Sequence, residues 1–490
     1  MDPFARRRAG LLLHLSSLPG PGPVGTLGPE AHRFLDLLAE AGQSVWQMLP
    51  VGPTHADGSP YQCLSAHAGN PAFIDPRPLA EAGWLEGAGP ALGEEGLAQA
   101  WDGFRRRAGS EERRALEAFR EAQGWWLEDY ALFMALRQAQ GGRPWWAWPE
   151  GLRRREPAAL AGARRELAGA LERRRFEQFL FRRQWAALRE AAARRGVLLF
   201  GDLPIFVALD SVEVWARPEL FKLDAQGRPT VVAGVPPDYF SATGQRWGNP
   251  VYRWEAHAAE GYRWWVRRLA GLLELFDLVR IDHFRGFEAC WEIPAEAPTA
   301  QEGRWVPGPG DALFEALKRE LGGSGGRLPL VAEDLGVITP EVEALRRRHG
   351  LPGMKVLQFA FGGGADNPYL PHRHEPLAVA YTGTHDNDTT LGWYRALDEG
   401  TRRHLEAYLP EARPGAGLPM PWPLIRAALA SVAVLAVLPV QDVAGLGSEH
   451  RMNRPGTTAG NWRWRLRWEW LGEEALARLG ELTSLYGRAP

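Results

Sequence analysis

Three short segments of this chain run from apolar residues straight into a carboxylate. They are Val279-Arg280-Ile281-Asp282-His283, Val331-Ala332-Glu333-Asp334 and Tyr381-Thr382-Gly383-Thr384-His385-Asp386-Asn387-Asp388. The acids Asp282, Glu333 and Asp386 are spaced 51 and then 53 residues apart. A β/α unit takes about 30 residues in a barrel of ~250, so such spacings suit two units, or one unit with a long loop. In barrels of that kind the C-terminal ends of the strands line the reaction centre. Retaining cleavage of a glycosidic bond needs one carboxylate as nucleophile and one carboxylic acid as proton donor, about 5 to 5.5 Å apart. Asp282 suits the nucleophile. Arg280 stands two residues earlier, on the same face of a strand, where a guanidinium holds Asp282 ionised and aims its oxygen. Glu333 suits the acid/base, because its apolar approach Leu330-Val331-Ala332 favours a raised carboxyl pKa. Asp386 is then the third acid, on ring hydroxyls, and His283 and His385 can donate hydrogen bonds beside two of the acids. Taken singly, each acid fits a salt bridge or a helix cap. Three at three strand ends point to sugar chemistry.

Elements that would position these acids can be counted. Apolar, β-branched or aromatic runs bounded by turn residues occur at 10–15, 44–51, 197–202, 276–282, 329–333, 354–361, 378–382 and 434–440. Helical periodicity at 31–41 and 340–348 falls between such runs. Thr339-Pro340 opens the second of these helices and Gly350 closes it. The fold class expected is α/β: a (β/α)8 TIM barrel with a large, mainly helical insertion after the second strand and further lid-forming loop insertions. The whole of 1–490 reads as one catalytic barrel. Residues 75–190 form the inserted helical subdomain, with helical pattern at 111–122, 125–140 and 157–195, and 207–262 a loop excursion rich in Gly, Pro and aromatics.

Composition narrows the partners. The 490 residues carry 57 basic and 59 acidic side chains, which gives no electrostatic reason to expect nucleic acid or an anionic membrane. No apolar run is long enough to span a bilayer. The two cysteines suit a reducing compartment, and Arg6-Arg7-Arg8 followed by Leu11-Leu12-Leu13 reads as a first strand, not a secretion signal. A cytoplasmic protein is expected. Flat aromatic faces stack on sugar rings, so the 22 Trp mildly favour a carbohydrate surface, although most belong in the core. Other signals read as bland. Gly322-Gly323-Ser324-Gly325-Gly326 precedes a strand and is a turn, not a nucleophile elbow. Asp386-Asn387-Asp388 lacks the Gly and terminal Glu of a calcium loop, and His372 and His374 lack a third ligand, so no metal is expected. The Arg runs 153–155, 173–175 and 346–348 have Glu nearby and read as solvated helix faces.

Longer stretches carry a family resemblance over nearly the whole chain. They include Ser59-Pro60-Tyr61-Gln62, Gly201-Asp202-Leu203-Pro204-Ile205-Phe206-Val207, Gly234-Val235-Pro236-Pro237-Asp238-Tyr239-Phe240 and Gly244-Gln245-Arg246-Trp247-Gly248-Asn249-Pro250. With the acidic segments, the chain resembles the amylomaltases, the 4-α-glucanotransferase or disproportionating-enzyme family of the α-amylase-like retaining glycosidases. The resemblance implies Asp282 as nucleophile, Glu333 as acid/base and Asp386 as transition-state stabiliser. It implies that Tyr61, Asp202, Gln245, Trp247, Arg280, His283, His385 and Asn453 border the sugar subsites, with Tyr239 and Phe240 on a loop over the acceptor side. Core packing is the alternative for Tyr61 and Trp247. The substrates implied are α-1,4-glucans and maltooligosaccharides, with no cofactor and no protein partner. The chain departs from the family pattern at His55-Ala56-Asp57-Gly58, where an aromatic is missing, and at His14-Leu15-Ser16 and Gly362-Gly363-Gly364. None of these departures touches the acids; they leave glucan-length preference open. The acids alone do not choose between transferase and hydrolase, which share them. A catalytically idle glucan-binding protein is disfavoured because all three acids are present.

Overall fold

A computed structural model describes residues 2–237, 241–322 and 326–490. All eight apolar runs become parallel strands of one sheet: β1 (Arg8–Leu12), β2 (Val45–Gln47), β3 (Leu198–Pro204), β4 (Leu278–Asp282), β5 (Leu330–Ala332), β6 (Gly353–Val356), β7 (Ala378–Tyr381) and β8 (Leu435–Pro439). Strands β1 to β5 pair in chain order, β6 to β8 do likewise, and β8 pairs with β1. The seam between β5 and β6 closes differently. Ala332 N–H donates to the carbonyl of Pro352 at 2.8 Å. Pro352 has no N–H to return, and the Asp334 carboxylate instead accepts Met354 N–H at 2.7 Å. The result is a (β/α)8 barrel.

Arg346 holds Asp334 in that role, with Nε 3.1 Å from Oδ2. It also donates to the Leu351 carbonyl at 3.0 Å and to Glu375 at 2.6 Å. The expectation of a solvated 346–348 face is therefore wrong for Arg346, which is buried. The same correction applies at 173–175. Arg174 is buried, with Glu177 and Glu94 each at 2.9 Å, because its long side chain reaches partners between packed helices.

Strand alternation sorts the side chains. In β4, Val279 and Ile281 face the surrounding helices while Leu278 joins the barrel interior with Phe200, Val331, Met354 and Val437. Arg280 and Asp282 share the inward face of Leu278, stacked toward the C-terminal rim. Gly10 in β1 is required by closeness: a Cβ there would lie 2.2 Å from the Val45 carbonyl oxygen of β2. Gly10→Ala should cost about 1–3 kcal/mol through forced backbone movement, read as a lower thermal midpoint. An unchanged midpoint would contradict this packing.

The insertion after β2 is helical as expected, with altered joints. Residues 111–122 and 125–139 lie in one unbroken helix, Ser110–Ala139, which runs through Gly124 and has Gln140 as its C-cap. The 157–195 pattern is two helices, Pro157–Glu166 and Ala168–Arg194. Thr339 sits at the N-cap position of Pro340–Arg348, but its hydroxyl does not cap that helix. The 354–361 run stops being strand at Val356 and continues as a 3-10 turn, Leu357–Phe359. The 207–262 excursion is no plain loop. Val231–Val235 and Gln245–Pro250 join Ala289–Pro294 and Arg304–Pro307 in a four-stranded antiparallel sheet at the rim. Among the described residues no helix is long and apolar enough to cross a membrane.

Candidate active site

Asp282 ends β4 and Glu333 directly follows β5, its neighbour in the barrel. Register pairs Arg280 with Val331 and Ile281 with Ala332, so the two acids stand side by side one step further on. Adjacent strands are about 4.8 Å apart, a spacing that suits a retaining pair. Arg280 is the keystone beneath them. Its Nη2 donates to Asp282 Oδ1 at 2.8 Å, and its Nη1 donates to Asp202 Oδ1 and Oδ2 at 3.0 and 2.8 Å. Tyr61 OH donates to Asp202 Oδ2 at 2.8 Å, and the Tyr61 ring stacks on His385 at 5.2 Å and 15°.

His385 Nε2 lies 3.3 Å from Asp386 Oδ1, which also accepts Asn453 Nδ2 at 2.7 Å. Arg451 braces this corner by donating to the Asp386 carbonyl at 2.9 Å and the Asn453 carbonyl at 3.2 Å. Across the cleft, Glu333 Oε2 accepts His283 N–H at 2.7 Å and Oε1 accepts Leu335 N–H at 2.9 Å. His283 takes a left-handed φ of 52°, which turns its amide onto Glu333 and its ring edge-on to Trp247 at 4.8 Å. Trp247 Nε1 donates to Gln245 Oε1 at 3.2 Å.

The electrostatics separate the two reacting acids. Burial pushes the Glu333 carboxyl up to about 7, and Asp282 adds to the rise, against the opposing pull of Arg280 and the two backbone amides. Burial alone would lower Arg280, but Asp202 and Asp282 overcome it and raise it well above its ordinary value. Asp282 therefore faces a permanent cation, while Glu333 holds a proton near neutrality. That division is what an attacking carboxylate and a proton donor need. Burial also pushes Asp202 up to about 6 and lifts the Tyr61 hydroxyl well above its usual range. Burial lowers His283 to about 4, so its ring is neutral at pH 7. Since Glu333 must be protonated to expel a sugar leaving group, kcat/KM on maltotriose should fall as pH rises through about 7. A profile flat to about pH 9 would contradict that role.

Eleven of the residues expected from sequence meet in this one cleft: Tyr61, Asp202, Gln245, Trp247, Arg280, Asp282, His283, Glu333, His385, Asp386 and Asn453. Tyr61 and Trp247 are half-buried: Tyr61 stacks on His385, while Trp247 packs in part against the core and meets the His283 ring. Tyr239 and Phe240 lie outside the described residues. His372 and His374 are engaged locally, with Tyr408 OH and the Tyr369 carbonyl at 2.9 Å. Sequence reasoning missed Arg451 and Trp462. Arg451 lies two residues before Asn453, a spacing that gave the only local hint.

Known proteins resemble this chain over nearly its whole length. A family model described as 4-alpha-glucanotransferase matches residues 13–469. A 4-alpha-glucanotransferase of Thermus thermophilus is 56% identical over 494 residues, covering 96% of this chain and 97% of the relative. One from Synechocystis sp. is 47% identical over 503 residues, covering 99% and 98%. Among solved structures, the amylomaltase from Streptococcus agalactiae in complex with acarbose superposes with a TM-score of 0.93 at 37% identity, covering 99% of this chain and all of that one.

Proposed function

This chain belongs to the 4-α-glucanotransferase family and is a glycosyl-transferring enzyme, and from that premise we propose that its cleft moves α-1,4-glucan segments between maltooligosaccharides or starch-type glucans by retaining double displacement. In the first half, the Asp282 carboxylate attacks C1 of the donor sugar while protonated Glu333 gives its proton to the departing glycosidic oxygen. The leaving glucan departs with that proton, and a glycosyl ester to Asp282 remains. In the second half, Glu333, now a carboxylate, takes the proton of an acceptor hydroxyl as that oxygen attacks C1 and frees Asp282. Asp386, fixed by Asn453 and His385, holds ring hydroxyls of the transferred sugar as positive charge develops.

The observation that carries this reading is the unequal environment of two acids at adjacent strand ends, one against Arg280 and one desolvated. The acarbose complex of the related amylomaltase supports an oligosaccharide-shaped cleft. We take residues 1–490 as one catalytic unit, with 75–190 as an inserted helical subdomain. A cytoplasmic location is proposed on the two free cysteines, Cys63 and Cys290.

Incubation with maltotriose tests the function. Glucose together with longer oligosaccharides, at constant total reducing ends, is the expected result. Rising total reducing ends would mean hydrolysis, and no change would mean binding without turnover.

A further inference from the structure

We propose that Trp462 forms the donor wall beyond the transferred sugar, a stacking surface for the next glucose unit toward the non-reducing end. The proposal rests on the reading of the cleft given above. Tyr61 and His385 are fixed by Asp202 and Asp386, neither of which shares a hydrogen-bond partner with the acid/base Glu333. The Trp462 ring continues their surface, 5.9 Å from Tyr61 at 48° and 6.1 Å from His385 at 38°. Glu333 must sit over the bond being broken, so the leaving glucan extends past its own neighbours, His283 and Trp247. Trp462 has no ring contact with that side among the described residues. It lies on the path of the donor chain in the other direction.

Four further features fit a binding role. Trp462 adopts a φ of 64°, a left-handed conformation uncommon for a bulky residue, which persists where surroundings over-determine it. Its N–H donates to the Met452 carbonyl at 2.8 Å, which ties it to the segment holding Arg451 and Asn453. The loop running alongside it brings a glycine, not a side chain, closest to its Cβ. A Cβ on Gly58 would come within 3.9 Å of Trp462 Cβ, yet Gly58 has no side chain, and Ala56 and Asp57 beside it are exposed. The indole is half-buried, and its N–H has no protein partner among the described residues, leaving it available to a sugar hydroxyl. An aromatic face with one free donor at its edge is a surface suited to a glucose ring.

The test compares two donors with one acceptor, maltose, in Trp462→Ala and Trp462→Phe. α-Glucosyl fluoride fills only the position of the transferred sugar; maltotetraose also reaches the next. For Trp462→Ala, kcat/KM with maltotetraose should fall about tenfold, the low end of what one stacked ring contributes, with α-glucosyl fluoride unchanged. Trp462→Phe, which keeps a stacking face, should recover most of the loss. Equal losses on both donors, or none on either, would overturn the proposal. Should Trp462→Ala not fold, the donor ratio of Trp462→Phe decides alone: a selective loss on maltotetraose sustains the proposal and an unchanged ratio overturns it. Transfer by the unaltered enzyme tests the underlying reading separately, and its absence from both donors would overturn that reading as well.

Discussion

Replacing Asp282 by Asn should reduce glucan transfer by roughly 10⁴-fold or more while leaving the fold intact. The substitution keeps the volume and an oxygen for Arg280 Nη2, which now reaches Oδ1 at 2.8 Å. It removes the negative charge that makes this group a nucleophile. No other carboxylate is set to replace it. Asp202 is buried and occupied by both Arg280 and Tyr61, and Asp386 is committed to Asn453. Asp282 is only partly buried, with 30% of its side chain exposed, so the fold loses little by neutralising it. Circular dichroism and a thermal melt would establish folding, and product analysis on maltotriose the rate. Retention of more than about 1% of wild-type transfer in a clean preparation would remove Asp282 from the nucleophile's role.

The second large effect depends on the leaving group. Glu333→Gln should slow reaction on maltotriose by about 10²- to 10⁴-fold, because a sugar alkoxide leaves poorly without a proton. α-Glucosyl fluoride carries a leaving group that needs little help, so formation of the glycosyl-enzyme should stay within about tenfold of wild type. The limb expected near pH 7 should vanish from the residual maltotriose activity, since the group pushed up to about 7 is gone. Gln can still accept one of the two backbone amides of His283 and Leu335, but it has no second carboxylate oxygen for the other. A small stability loss is therefore compatible with the role. Equal rate losses on both substrates would show that Glu333 acts on something other than the leaving oxygen.

Much of this site was legible in the sequence because barrel strands and their terminal acids leave a local mark. Leu278 to Asp282 alternates inward and outward and ends in a carboxylate, and Arg280 two residues back falls on the same face. The rim sheet left no such mark. Its strands at Val231–Val235 and Gln245–Pro250 contain Gly and Pro, and Val231–Val235 pairs on its other side with Ala289–Pro294, much later in the chain, so neither period nor turn signal reveals them. Asp334 was hidden by its neighbour. Standing next to Glu333 it drew no reading of its own, whereas its carboxylate replaces a strand bond at the β5–β6 seam. The same limitation applies to Arg346 and Arg174, whose burial depends on partners distant in sequence. Trp462 and Arg451 lie in a segment without periodicity and come to the cleft only because the chain folds back after β8.

The central claim is that Asp282 bonds covalently to the sugar and Glu333 carries the proton. Trapping tests it most directly. The Glu333→Gln variant would be mixed with α-glucosyl fluoride, quenched in acid, digested and analysed by mass spectrometry. Formation of the ester needs no proton donor here, whereas its breakdown lacks the base, so the intermediate should accumulate. The account predicts one anhydroglucose unit on the peptide containing Asp282, persisting when maltose is added before the quench because its hydroxyl finds no base. A sugar on the Asp386 peptide, or fluoride release with no labelled peptide at any time, would contradict it.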